Sequence, residues 1–308
     1  MSLQKIVNEN YCFHVLGLIQ LSPLVYKVKT DTQFYCLKIV ENKKLEIAYN
    51  HITTLKLAHF VRLIPNQEHH CLTCYGERYF YIMEYLQADK DIKKEMKLKA
   101  YYQYLAYLHN HSFFYQHIEK DFLAQQKQDL FSIIQERKNQ YESYMKQFEL
   151  MKFRSPSGWM LVLNYYRITE CFHQAYRYLN DYDELMKEKS DMRLSLTYNH
   201  FSYEHIFIYE DQLISIDHMH IDFCIYDIYD MFQTIEPLNE NYDSLFSIYL
   251  QNVELLQEEM ILLSCLLSIV PQIHFTNDEE HNILEMSKIL CYMESINRII
   301  QKLKIDSK

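Results

Sequence analysis

Three groupings of side chains in this 308-residue chain could do chemistry. His69-His70-Cys71-Leu-Thr-Cys74 sets four ligand-type residues within six positions, and a CxxC of this spacing occurs in zinc knuckles. No second CxxC follows, and the segment runs on into the strand-like YGERYFYIMEY, so a hairpin is the preferred reading over a metal site. A second grouping lies in LSLTYNHFSYEHIFIYEDQLISIDHMHIDFCIYDIYDMF, where His200, His205, Asp217 and His218 gather at the ends of two strand-like runs. A positioned imidazole can serve as a general base near neutral pH, and a carboxylate can hold a hard cation. Such residues can equally be polar loop positions with no chemical duty, and Asp217 can be a brace for its hairpin. The third is Lys38 in FYCLKIV, which is either an ordinary exposed lysine or a cation set into a strand to meet an anion. Glu46, eight residues on, could pair with it, with Glu41 as competitor.

These residues need elements to position them. Segments near 11–20, 24–30 and 33–40 are rich in Val, Ile, Tyr, Phe and Cys and read as strands, the last two separated by KTDTQ. Lys44 to Phe60 carries Leu45, Ala48, Ile52, Leu55 and Leu57 at helical spacing. HHCLTCY and RYFYIMEY then flank a turn at Gly76-Glu77, giving the order β-β-β-α-β-β over residues 1–88. Residues 89–308 read mostly as helices: AYYQYLAYLHNH, then spans near 121–152, 160–188, 240–269 and 277–304. The His- and Asp-bearing hairpin, 196–223, is set among them. Two units are therefore expected, an N-terminal β-rich lobe over 1–88 and a helical lobe over 89–308.

Composition removes several classes of function. With 41 acidic against 31 basic residues and a formal net charge of -10, the chain shows no basic stripe for nucleic acid. Its three glycines, Gly17, Gly76 and Gly158, stand too far apart for a P-loop or a dinucleotide fingerprint. The longest apolar run, Met260 to Val270, is too short to span a bilayer and reads as a buried helix. The N-terminus lacks the apolar stretch of a signal peptide, so synthesis and retention in a cytoplasm are expected. The eight cysteines sit mostly in apolar contexts and are expected to be reduced.

The layout and four stretches of sequence resemble the protein-kinase-like fold, in particular the aminoglycoside phosphotransferase-like superfamily. YKVKTDTQFYCLKIV looks like its second and third strands, with Lys38 where the family's phosphate-pairing lysine sits. FYIMEYLQA resembles the last small-lobe strand and hinge, running through Glu84, and YQYLAYLHNH is similar to a helix ending in Leu-Ala-x-Leu-His. SLTYNHFSYEHIFI followed by LISIDHMHIDF resembles the catalytic loop and metal-binding strand. Asp227 and Asp230 look like the structural Asp that anchors the next helix. The implied fold class is α+β and bilobal, a small mainly antiparallel β lobe plus a larger helical lobe. The implied cofactor-binding residues are Lys38, Glu46 and Glu84, with ATP and Mg²⁺ as cofactors if the nucleotide site survives.

The motifs are altered. Where the family has His, catalytic Asp and Asn, this chain has Tyr198, His200 and His205, and the usual Asp-Phe-Asp reads Asp217-His218-Met219. The resemblance leaves Asp217, with His205 as a poor second, as metal ligands, because an imidazole suits a hard oxygen-seeking cation badly. His200 holds the position of the base. The spore-coat kinase-like CotS/YutH group is the nearest resemblance. Its YutH branch also has a non-carboxylate base position followed by Phe, and an Asp-His pair on the later strand. That resemblance implies a catalytically degenerate pseudokinase, structural in the endospore coat, with other coat proteins as partners and no cofactor. An active phosphotransferase on a small hydroxyl acceptor, or an ATP-sensing module, stands as the alternative.

Overall fold

The structure, a computed structural model, describes residues 2–41, 43–89, 91–234 and 242–305. Its elements run α1 (Leu3–Asn10), β1 (Val15–Ser22), β2 (Val25–Thr30), β3 (Phe34–Val40), α2 (Lys44–Thr54), β4 (Leu63–Ile64), β5 (Thr73–Tyr75), β6 (Arg78–Glu84) and α3 (Lys94–Ser112). β7 (Phe114–His117), α4 (Lys120–Leu150), α5 (Pro156–Lys187), β8 (Asp191–Thr197), β9 (Ile206–Phe207), β10 (Gln212–Leu213) and β11 (His220–Asp222) follow. The chain closes with α6 (Ile225–Thr234), α7 (Tyr242–Leu250), α8 (Gln257–Ser268) and α9 (Glu279–Ile305). Residues group by contact into two compact units, Met1–Ser112 with Ser195–Asp222, and Phe113–Leu194 with Phe223–Lys308.

The first unit is built on an antiparallel sheet in the order β1-β2-β3-β6-β4, with β5 also paired to β6. β3 and β6 are buried along most of their length, as strands covered on both faces must be. Alternation divides their side chains. Tyr35, Leu37 and Ile39 join Phe80 and Ile82 in a core closed by Leu3, Val7 and Tyr11. The sequence reading has no counterpart to α1, whose apolar positions are few, and it lacks the two-residue β4. α2 stops at Thr54 rather than at Phe60, because Lys56 and His59 take left-handed φ values of 51° and 66° and turn the chain away.

The second unit is helical. α5 starts at an N-cap, Ser155, whose Oγ accepts from the Gly158 N–H at 3.2 Å, with Pro156 at the first helical position. It buries Leu161, Ile168, Phe172, Ala175, Leu179, Tyr182 and Met186 on a repeating seven-residue stripe against α4, α8 and α9. The single helix expected over 240–269 is two, α7 and α8; its first two residues lie outside the described ones. The break falls where Glu259 reaches back, its Oε2 accepting from the Leu256 N–H at 2.9 Å to start α8. Met260 to Val270 is largely the buried part of α8, and among the described residues no helix is long and apolar enough to cross a membrane.

Candidate functional site

Lys38 and Tyr81 are cross-strand partners in the β3/β6 register, so their side chains leave the sheet on the same face, opposite the core around α1. Both meet Asp217. Lys38 Nζ donates to Asp217 Oδ1 at 2.8 Å and to Ser215 Oγ at 2.8 Å, and Tyr81 Oη donates to the same Oδ1 at 3.0 Å. Asp217 sits in a one-turn 3₁₀ segment, Ile216–His218, entered through Ser215 in the left-handed region at φ 60°. A non-glycine residue there carries a cost of about 1 kcal/mol, and here the turn aims a hydroxyl and a carboxylate at the same lysine. Burial alone would push the Asp217 carboxyl up. The Lys38 charge and hydrogen bond, with His218 and the Tyr81 hydroxyl, hold it below the usual carboxylate range. Burial, then the Asp217 charge, drive the Tyr81 phenol well above its usual range.

Beside this pair lie three imidazoles. The His200 ring lies 4.2 Å from His218 and 4.8 Å from His205, centroid to centroid, tilted by 35° and 44° to them. Burial, the like-charged neighbour His218 and Lys38 lower the His200 pKa. His205 is buried more deeply, and burial with the adjacent His200 lowers its pKa to about 4, so at neutral pH it is an uncharged ring. Its Nδ1 lies 3.2 Å from the His200 carbonyl oxygen, which makes Nδ1 the protonated nitrogen. His218 is half-exposed, its Nε2 3.4 Å from Asp217 Oδ2.

The loop carrying these groups is fixed from below. The Tyr198 hydroxyl donates to the Ile214 carbonyl at 2.6 Å, and Tyr101 of α3 packs edge-on against Tyr198 and Phe201. Asn199, also left-handed at φ 52°, bonds Thr197 and the His220 ring. Between α2 and the Asp217 turn opens a cavity of about 600 Å³, lined among others by Lys44, His51, Asn199, Asp217, His218 and His220.

Of the residues singled out by sequence, Lys38, His200, His205 and Asp217 are thus brought together. Glu46 is directed elsewhere, lining a cavity with Tyr49, His69, His70 and Cys71, while the ion pair of Lys38 is with Asp217. Glu84 is exposed at the end of β6, opposite Tyr35, and Asp227 is fully buried in the first turn of α6. Ser215 and Tyr81, which bond Lys38 and Asp217, are members of this cluster that no motif signals. Strand alternation from Lys38 and its register partner could have found Tyr81; nothing local marks Ser215. In β5 Thr73 is buried and Cys74 exposed, and among the described residues no group of three or more His, Cys, Asp and Glu side chains is arranged to hold a metal ion.

A magnesium ion, which the fold class suggests, asks for an octahedron of oxygen ligands. The donors here are one carboxylate, already accepting from Lys38 and Tyr81, the Ser215 hydroxyl on the same lysine, the Asn199 amide and otherwise imidazole nitrogens, a set with a single anionic oxygen ligand group. This donor set does not fit the ion.

The described fold matches solved structures over nearly the whole chain. An aminoglycoside phosphotransferase from Alicyclobacillus acidocaldarius superposes with a TM-score of 0.69 at 11% identity, covering 99% of this chain and 96% of that one. A microcompartment-associated aminopropanol kinase gives 0.53 at 12% identity, covering 96% of each chain. Spectinomycin phosphotransferase APH(9)-Ia, in complex with ADP and spectinomycin, gives 0.51 at 10% identity over 97% of this chain and 93% of that one. The chain has the aminoglycoside phosphotransferase-like kinase fold. No family model matches its sequence, and no curated protein matches it.

Proposed function

We propose that this protein is a catalytically degenerate member of the kinase-like fold, with an assembly role in the bacterial endospore coat rather than a phosphoryl-transfer role. One observation carries the first half: at the two positions that the resemblance gives to the acceptor's base and to an oxygen metal ligand stand His200 and His205, adjacent rings with lowered pKa values, beside a Lys38–Asp217 pair closed on itself. Phosphoryl transfer depends on cations that neutralise charge on the transferred group, and this donor set supplies few oxygens to hold them. The coat assignment rests on the sequence likeness to the CotS/YutH group through His200-Phe201 and Asp217-His218.

A second reading, a working phosphotransferase on a small hydroxyl acceptor, is favoured by the surviving Lys38–Asp217 pair and by a His200 that can accept a proton when neutral. Incubation with ATP, Mg²⁺ and a panel of amino alcohols and aminocyclitols separates the two. Acceptor-dependent ADP release is expected to be absent, and steady turnover abolished by Lys38→Met would overturn the degenerate reading. Synthesis confined to sporulation, with the protein recovered in the coat fraction, is the expected cellular result; constitutive synthesis would sink the coat role.

A further inference from the structure

The cavity of about 600 Å³ beside the Asp217 turn lies wholly within the first unit. α2 supplies one wall through Lys44, Ile47, Ala48 and His51, at i, i+3, i+4 and i+7 and so on one face of the helix. The segment from Asp217 to Ile221 supplies the opposite wall, with Leu196 and Asn199 beside it. Ala48, Leu196 and Met219 are buried and make an apolar floor, while Lys44 and Ile47 are exposed. A volume of several hundred Å³ with an apolar floor and a few polar groups is that of a small-molecule site.

Those polar groups are mostly donors. One ammonium (Lys44), three imidazoles (His51, His218 and His220) and one amide (Asn199) share the cavity with a single carboxylate, Asp217. That carboxylate is already answered. Lys38 Nζ and the Tyr81 hydroxyl hold its Oδ1, and His218 Nε2 stands 3.4 Å from its Oδ2. The acids nearest in sequence are outside the lining or matched. Glu41 does not line the cavity, Glu46 lines the one shared with His69, His70 and Cys71, and Asp222 Oδ2 lies 3.4 Å from His220 Nε2. His220 is further committed through Nδ1, 3.0 Å from the His218 carbonyl oxygen. The donors turned to a ligand are therefore Lys44, His51 and His218.

Such a set suits an oxyanion, whose oxygens accept from ammonium and imidazole N–H groups in the stronger, charge-assisted class of hydrogen bond. The net charge of -10 opposes any anion at long range, so selection falls to these contacts. We propose that this cavity binds a small organic anion, an oxyanion head on a short apolar tail, with neither nucleotide nor metal. The head meets Lys44, His51 and His218, and the tail lies on Ala48, Leu196 and Met219. This site goes beyond the degenerate reading and does not depend on it.

The full chain is titrated by calorimetry near neutral pH with butyl phosphate and with hexanoate, without ATP or Mg²⁺. Hexylamine and hexanol serve as matched controls of opposite and zero charge. Binding of at least one anion in the low millimolar range or tighter, about tenfold or more over both controls, is expected, and the preferred anion identifies the head group. Ile47 is 62% exposed, so a charge can be placed there without disturbing the core. Ile47→Asp should weaken the anion by about fivefold and Ile47→Lys should tighten it by a similar factor, with circular dichroism unchanged in both. Lys44→Ala should weaken it by about fivefold. No heat from either anion, hexylamine or hexanol binding as well as the anions, or equal affinities in Ile47→Asp and Ile47→Lys would overturn the proposal. So would binding that appears only with ATP and Mg²⁺, which would assign the anion to the phosphotransferase reading.

Discussion

Asp217 is held as an anion by neighbours that would each suffer from its loss. Asp217→Ala would strand the Lys38 ammonium, its side chain 17% exposed, with Ser215 Oγ as its remaining partner, and would leave the buried Tyr81 hydroxyl without its acceptor. Breaking one side of a buried pair costs about 3–5 kcal/mol, whereas removing both partners costs much less. Urea denaturation should therefore show Asp217→Ala and Lys38→Met each destabilising by roughly 3 kcal/mol, and the double variant by clearly less than their sum. Additive losses would mean that the pair is not coupled. His205 gives a pH dependence of definite sign. Its folded pKa of about 4 lies below the ordinary histidine value of 6.5, so the unfolded chain binds the extra proton between them. Its contribution is full above about pH 6.5 and is lost as pH falls toward 4, by up to about 3 kcal/mol. His205→Gln should flatten the fall in stability between pH 6.5 and 4.5; an unchanged slope would show that the ring is not buried neutral. That Lys38, His200, His205 and Asp217 come together was legible in the chain from their types and motif positions. Ser215 was not, because its part depends on a left-handed backbone and a contact across 177 residues.

Periodicity carries the elements where burial is one-sided or continuous, and fails where tertiary contacts end them. The reading of β2 and β3 agrees with the structure to within a residue, and α4, α5 and α9 begin and end within four residues of the expected spans. The helix expected over 240–269 is broken by a local device, the Glu259 carboxylate, that also serves another element. Glu259 is 1% exposed and takes Arg193 of β8 in a two-pronged bond, Nε to Oε1 at 2.9 Å and Nη2 to Oε2 at 2.5 Å, while capping α8. One carboxylate thus ties a strand to a helix and fixes where that helix begins. Arg193→Met should cost about 3–5 kcal/mol through the unpaired buried anion, and Glu259→Gln, which keeps the shape and can still accept the Leu256 N–H, should cost less. Urea midpoints of the two variants check the order; an Arg193→Met protein as stable as the parent would show that water reaches Glu259.

At the scale of the molecule, the aminoglycoside phosphotransferase-like kinase fold is combined here with features that work against a bound polyphosphate. Kinases of related architecture cover the phosphates with a glycine-rich loop whose backbone N–H groups approach closely. Here the turn between β1 and β2 is Pro23-Leu24, in which the proline has no N–H to offer, and Gly17 lies within β1 with nothing near it. Lys38 is engaged by Asp217 and Ser215 and must leave both to meet a phosphate, and a net charge of -10 repels ATP at long range. A ligand present at about 100 times its dissociation constant adds roughly 2.7 kcal/mol of stability, a shift of roughly 5 °C for a chain of this size. Thermal unfolding at millimolar ATP, with and without Mg²⁺, is expected to show no Mg²⁺-dependent change in midpoint. A Mg²⁺-dependent rise that Asp217→Asn removes would show that the carboxylate trades its lysine for a cation when nucleotide arrives, and the degenerate reading would then give way to the phosphotransferase one.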